Sequence, residues 1–324
     1  VSKTLPGSGS AALQQLQAAE DRLKEEIKQS GGVQNFLADK PALLIIFNVL
    51  TLLLIGIICL GLMINFIWFT RPGLRERFRS LAGPPKARTW SVSSVFKGIL
   101  LFIFSAVLSG LLISYLKGRF LPAASQNLLA LVHTTLSDFL VIAFVIYFVR
   151  RGGGSLRDLG FRTGGFLKDL GRGFLAYMAV IPYFFLVLFA VALLAYYLTY
   201  QPPPHPLVEI FLEEEKRSPF LIGYSLFLAC VAGPFLEEIF FRGFCYYAFK
   251  KRWGVSWGMV LSAAFFASSH QNIFAFFPIF VLGIGLSYLY EKRGALLPCV
   301  VLHIVHNTIF IGYFFLVKEI LAGS

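Results

Sequence analysis

Residues 41–69 read PALLIIFNVLTLLLIGIICLGLMINFIWF, without one charged side chain. A hydrocarbon core about 30 Å thick takes ~20 helical residues at 1.5 Å of rise each, so this run is long enough to cross a bilayer. The rest of the chain has the same character. Of its 324 residues 57% are hydrophobic and only 14% charged, and the mean hydropathy is +0.72. Soluble chains carry about 25% charge, and this one has too little polar surface to cover itself in water. Further apolar spans are expected at about 94–116, 127–149, 173–200, 219–249, 257–271, 274–290 and 295–317, each bounded by Gly, Pro or charge clusters. The expected fold class is all-α: a polytopic membrane protein of about eight transmembrane helices, with a polar intramembrane cavity in the last four.

Residues 11–30, AALQQLQAAEDRLKEEIKQS, form a polar helix that ends at Gly31-Gly32 and is too charged to span. Residues 1–40 are therefore an extramembrane amino-terminal segment, open to a partner or regulator. Residues 41–172 hold three membrane helices and basic loops, and 173–324 hold the remaining spans. The chain starts at Val1, and a cleaved signal peptide would fit an external amino terminus. Gln201-Pro-Pro-Pro-His-Pro206 reads as a stiff external linker before a short interfacial helix at 207–217 with an acidic, solvated run. Cys59, Cys230, Cys245 and Cys299 lie in apolar stretches without a Cys-x-x-Cys pair, and read as small apolar fillers.

The net charge of +12 is distributed unevenly. Segments 70–93, 150–172, 250–256 and 291–294 together hold 17 Lys and Arg against four acids, whereas the alternate loops and termini hold ten of each. The basic set belongs in the cytoplasm, which puts both termini outside and directs the excess toward anionic lipid of the cell membrane. No nucleic-acid partner is needed to explain it.

Inside a membrane, ionisable groups are costly and usually face a cavity or each other. His133 and Asp138 in the third span are most simply read as an interhelix hydrogen bond. The remaining groups cluster in the last four spans: Glu237, Glu238, Arg242, His270, His303, His306 and Asn307. Counted from the cytoplasmic span ends, Glu237, His270 and His303 lie about 8 to 13 residues in, or roughly 12 to 20 Å deep. Three helices thus bring polar groups to one level. Glu238 and Arg242 are i and i+4 and can pair along one face, which leaves the adjacent Glu237 free. His303 and Asn307 have the same spacing and can aim an imidazole and a carboxamide at one point, a plausible oxyanion site. His306 points elsewhere. Phe240, Phe241, Phe265, Phe266, Phe274, Phe276 and Phe277 read as mostly lipid-facing or packing surface, with a few lining a hydrophobic groove.

The segments Phe235-Leu-Glu-Glu-Ile-Phe-Phe-Arg-Gly243, Phe266-Ala-Ser-Ser-His270 and His303-Ile-Val-His-Asn307 resemble the three motifs of the CAAX prenyl protease and bacteriocin-processing family of glutamate-dependent intramembrane proteases. The likeness covers about residues 219–317. It implies that residues 173–324 form a catalytic membrane domain. It also implies that Glu237 and His270 activate water against a scissile carbonyl, with His303 and Asn307 stabilising the oxyanion and Glu238 and Arg242 in support. The partner is then a membrane-associated peptide or protein substrate within the lipid bilayer, and no cofactor or metal is implied. The sequence lacks the His-Glu-x-x-His of zinc proteases, the Gly-x-Gly-Asp of the presenilin type and the Gly-x-Ser-Gly of the rhomboid type. A metal on His270, His303, His306 and Glu237 stays an alternative, since zinc accepts such ligands. So does a non-catalytic scaffold or immunity protein, or a transporter, although no inverted repeat is visible.

Overall fold

The computed structural model describes residues 41–73, 90–119, 126–162, 165–200 and 218–323, together with Glu76 and single positions between 18 and 29. The expected helix at 11–30 falls largely outside these residues, although Ala18, Asp21, Arg22, Glu25, Glu26, Lys28 and Gln29 are helical and exposed. The linker and helix expected over 201–217 lie outside them entirely.

Every regular element among the described residues is helical. The long ones are α1 (Pro41–Thr70), α2 (Val92–Arg119), α3 (Gln126–Arg151) and α4 (Phe166–Tyr197). They are followed by α5 (Pro219–Phe227), α6 (Gly233–Glu238), α7 (Tyr247–Ser268), α8 (Ile273–Arg293) and α9 (Leu297–Gly323). Among the described residues seven stretches are long and apolar enough to cross a membrane, and the chain is an integral membrane protein. The large apolar side chains of α1 and α2 are mostly exposed, as lipid-facing surfaces require.

The fifth stretch, Pro219–Ser268, has 50 residues, about 75 Å if straight and far more than one bilayer. It does not run straight. Gly254 takes φ 83° and ψ 176°, a conformation that glycine adopts without a Cβ clash, and the chain reverses there. Beyond the reversal Gly258 lies against the backbone of Lys250, and Ser262 Oγ donates to Phe241 O at 3.0 Å. The two arms are therefore antiparallel, and seven stretches hold the eight expected spans.

Several boundaries differ from the sequence reading, and two of the differences have a visible physical cause. Helix α4 starts at Phe166 rather than near 173, because Asp169 in its first turn is buried and neutralised by Arg172 at 2.7 Å and Arg293 at 2.5 Å. Helix α7 stops at Ser268, short of the expected 271. Gln271 adopts φ 52°, and Asn272 Oδ1 accepts the backbone N–H groups of Phe274 and Ala275, which caps α8.

Between α5 and α7 the backbone widens into π-helical turns at Leu228–Ala232 and Ile239–Tyr246. Pro234, which has no N–H to donate, follows the first, and the Gly233 N–H reaches back to Leu228 O. Within the second, Phe241 O accepts from Ser262 and Phe244 O accepts from Trp90 Nε1 at 3.0 Å. These bonds give carbonyls of the widened turn the partners that lipid does not supply.

The chain divides into two compact units. One comprises Val1–Cys59, Pro204–Leu226 and Asn307–Ser324; in its described part Phe220 and Tyr224 stack on one face of α5. The other comprises Leu60–Pro203 and Phe227–His306, and contains the packing of α3, α4, α7 and α8 around the π-helical region. Its tightest seam joins α7 to α8, where Gly283 faces Ala263 and Phe266: a Cβ added at Gly283 would sit 3.0 Å from the Ala263 Cα and Cβ and 3.3 Å from the Phe266 ring. Gly283→Val should therefore destabilise the protein by about 1–3 kcal/mol through overpacking, read as a lower unfolding temperature of the purified protein in detergent.

Candidate functional site

Glu237 and Glu238 end α6, between the two π-helical turns, a backbone feature common at functional sites. The adjacent carboxylates have different surroundings. Glu238 is fully buried, and its Oε1 accepts from Arg242 Nη1 at 3.0 Å and from His303 Nδ1 at 2.9 Å. Arg242, also fully buried, donates through Nη2 to Gly283 O at 3.4 Å, and its guanidinium lies 4.3 Å from the Phe266 ring centroid. A cation is thus matched on one side by charge and on the other by a ring face. Glu237 is the open member of the pair: its side chain is 38% exposed, and its Oε2 lies 3.8 Å from His303 Nε2.

His303 therefore stands between the carboxylates. Its Nδ1 is held by Glu238 and its Nε2 turns toward Glu237. The 3.8 Å gap is longer than a direct hydrogen bond and within reach of a bridging oxygen.

His270 sits in the turn after α7 rather than on a helix, which the sequence reading did not foresee. Its Nδ1–H donates to Phe266 O at 2.9 Å, which leaves Nε2 as the lone-pair nitrogen of the neutral ring. The Phe266 ring is edge-on to both imidazoles, with centroids 5.1 Å from His270 and 5.4 Å from His303. One buried ring thus gathers Arg242, His270 and His303. The reading of the aromatic residues as mostly lipid-facing or packing surface misses this role. Phe266 is 0% exposed and Phe241 6%, whereas Phe277 is 48% exposed.

Asn307 follows His303 by four residues on α9, is half-buried, and falls in the unit that contains residues 307–324. His306 packs edge-on against Tyr177 and Phe184 of α4, with centroids at 6.0 and 4.8 Å. His133 Nε2 pairs with Ser109 Oγ at 2.6 Å and ties α3 to α2. Asp138, half-buried, lies near the middle of α3, a helix that packs against α6 and the second π-helical turn. Among the described residues, no group of three or more His, Cys, Asp or Glu side chains is arranged to hold a metal ion.

No curated protein and no solved structure matches the chain. A family model does match residues 219–309, the Rce1-like model described as type II CAAX prenyl endopeptidase Rce1-like. The matched segment contains Glu237, Glu238, Arg242, His270, His303 and Asn307. Residues 219–309 are thus similar to the Rce1-like type II CAAX prenyl endopeptidases, and the match supports an intramembrane CAAX protease-type function for this membrane protein.

Proposed function

We propose that the protein is an intramembrane endopeptidase that hydrolyses a peptide bond of a membrane-associated substrate with water activated by Glu237 and His270. The observation that carries this reading is the asymmetry of the two glutamates: Glu238 is consumed by Arg242 and His303, while Glu237 is open and faces His303 Nε2. Glu237 takes a proton from water as the water oxygen attacks the scissile carbonyl. His270, whose Nε2 accepts, orients that water. His303 and Asn307 donate to the oxyanion; in its cationic form the His303 ring donates from both nitrogens, one to Glu238 and one toward the site. The proton then passes to the leaving amine, and no covalent acyl intermediate forms. Substrates are carboxy-terminal peptides of the CAAX kind named by the family model, or other peptides that enter from the bilayer.

Cleavage of a membrane-anchored peptide by the purified protein, followed by mass spectrometry, tests the assignment. Glu237→Ala and His270→Ala are each expected to lower kcat by about 10²–10⁴-fold, the range of a lost general acid or base. His303→Ala and Asn307→Ala should each cost about 10²–10³-fold. Retained cleavage in both Glu237→Ala and His270→Ala, with unfolding temperatures near wild type, removes the reading and leaves a scaffold or transporter.

The proposed orientation places the basic loops in the cytoplasm and both termini outside, in the cell membrane. In a cysteine-free background, a single cysteine at Ser155 should be labelled by an impermeant maleimide only after the membrane is opened. One at Ser2 should be labelled in intact cells. Deleting residues 1–40 tests their proposed role as a docking segment for a partner: purified activity should persist, while the response to that partner should be lost.

A further inference from the structure

The two directions that lead away from Glu237 and His270 along the helices are built differently. Helix α6 and the π-helical turn after it run to the reversal at Gly254, α7 runs back from it, and α8 returns to the basic end at Lys292 and Arg293. On the side that faces Gly254 the interior is closed. Every residue from Phe241 to Tyr246 is buried, and a Cβ on Gly243 would sit 3.0 Å from the carbonyl oxygen of Leu159, the fully buried end of the 3-10 turn Leu156–Leu159. Further along, Glu291 of α8 accepts from Tyr246 OH at 2.8 Å and from Lys250 Nζ at 2.8 and 2.6 Å. On α9, Pro298 to His303 are buried as well. Packed rings, the Arg242–Glu238 pair and the Lys250–Glu291 pair thus fill the way from the site to the basic loops.

In the other direction the same helices leave the site open. Glu237 Oε1 reaches back along α6: it lies 3.8 Å from the place of a Cβ on Gly233, one turn away from Glu237 and on the side opposite to Gly254. Phe235, two residues before Glu237, is exposed. From Gly254 the arm Val255–Ser268 rises about 21 Å, less than the about 30 Å of a hydrocarbon core, whereas the 21 residues of α8 rise about 31 Å. The turn at 269–272 makes up the difference, so His270 stands on non-helical backbone at membrane depth. Such backbone is tolerated there where it is buried in protein or lines water. Here it is not buried: Ser268, Ser269 and Gln271 are exposed, and all three are polar. Ser268 and Ser269 donate to Ala264 O and Phe266 O, which leaves their oxygens as acceptors, and Gln271 brings both donors and an acceptor.

We propose that the site opens on the membrane face that carries the α7–α8 turn, and that its substrate is a membrane-anchored peptide presented on that face, opposite the basic loops. The inference rests on the reading of Glu237 and His270 as the groups that activate water, and on the orientation with the basic loops in the cytoplasm. The open face is then the outer one. Water reaches Glu237 past Ser268, Ser269 and Gln271, and the peptide takes the same polar edge, where these side chains replace water on its N–H and C=O groups. A peptide held at the cytoplasmic leaflet meets the Phe241–Tyr246 turn and the Lys250–Glu291 pair instead. Of the two kinds of substrate named above, the favoured one is therefore a segment that lies outside the cytoplasm, next to its own membrane anchor.

Right-side-out and inside-out membrane vesicles from cells that make the full chain separate the two faces. The probe is the acylated peptide cleaved by the purified protein, given a charged head that keeps it in the leaflet to which it is added. Right-side-out vesicles should cleave it about tenfold faster or more. In a cysteine-free background, Ser268→Cys should be labelled by an impermeant maleimide in right-side-out vesicles, and more slowly once the peptide is present. Ser287→Cys, buried on α8 between Gly283 and Glu291, should be labelled in neither preparation. Cleavage by right-side-out vesicles that is no faster than by inside-out ones overturns the inference, and so does labelling of Ser287→Cys in inside-out vesicles. Glu237→Ala keeps the two readings apart. If it abolishes cleavage while the wild-type protein acts equally from both sides, only the access route and its substrate class fall; if Glu237→Ala cleaves normally, the proposed function falls and this inference with it.

Discussion

The arrangement depends on a single oxygen, Glu238 Oε1, buried with no exposure and shared between Arg242 at 3.0 Å and His303 at 2.9 Å. A carboxylate in such a place is tolerable only with an opposite charge and hydrogen bonds around it, and breaking a buried pair by removing one partner typically costs about 3–5 kcal/mol. Arg242 extends the constraint to α8 through Gly283 O and to α7 through the Phe266 ring. Four stretches of chain are therefore fixed relative to one another by one charge pair. Both donors go to Glu238 Oε1, and among the described residues the neighbouring Glu237 Oε2 is without a hydrogen bond, 3.8 Å from His303 Nε2. The charge-paired carboxylate and the unpaired one are thus adjacent residues of one helix end.

The backbone that presents these glutamates is itself a compromise. Widened turns on both sides of α6 replace the regular i+4 ladder, and in an apolar surround each carbonyl without a donor costs several kcal/mol. Trp90 and Ser262, from chain segments before and after the π-helical turn, serve Phe244 O and Phe241 O. Nearby, Gly243 packs on the backbone of the 3-10 turn Leu156–Leu159, whose own Leu159 O is bonded by Tyr290 at 2.9 Å. Side chains far apart in sequence thus act as the hydrogen-bonding solvent for one irregular turn, and they explain why an apolar span carries a Ser at 262 and a Trp precedes α2.

Much of this was legible in the sequence, and the failures have identifiable causes. Apolar runs longer than ~20 residues mark membrane helices because hydrocarbon imposes the length, and the spacing of Glu238 and Arg242 marks a pair because helix geometry imposes the reach. The start of α4 was missed because Asp169 is neutralised by Arg293, more than a hundred residues away, and a sequence window around Asp169 sees only its charge. The turn holding His270 was missed because the cap at Asn272 and the left-handed Gln271 are short-range features inside an otherwise continuous apolar run. Phe266 looked like any other aromatic residue of α7. Its role comes from tertiary packing, which brings a guanidinium and two imidazoles from different segments to one ring.

The family match covers residues 219–309, yet the packing behind the site comes partly from outside it. In helix α4, Pro182 cannot donate to the carbonyl of Met178, and Gly61 of α1 lies against both residues. One turn on, Asn65 Nδ2 donates to Ala179 O at 2.8 Å, and Trp68 Nε1 donates to Tyr288 OH of α8 at 3.1 Å. The same portion of α4 supplies Tyr177 and Phe184, whose rings enclose His306, three residues from His303. The carboxy-terminal end of α1 is thus fastened to the part of α4 that contains Pro182. A small residue, an amide and an indole at 61, 65 and 68 give this end of an apolar span a specific docking edge. Residues 60–70 of the first membrane helix thus pack with α4 and α8 within the unit that contains residues 60–203 and 227–306.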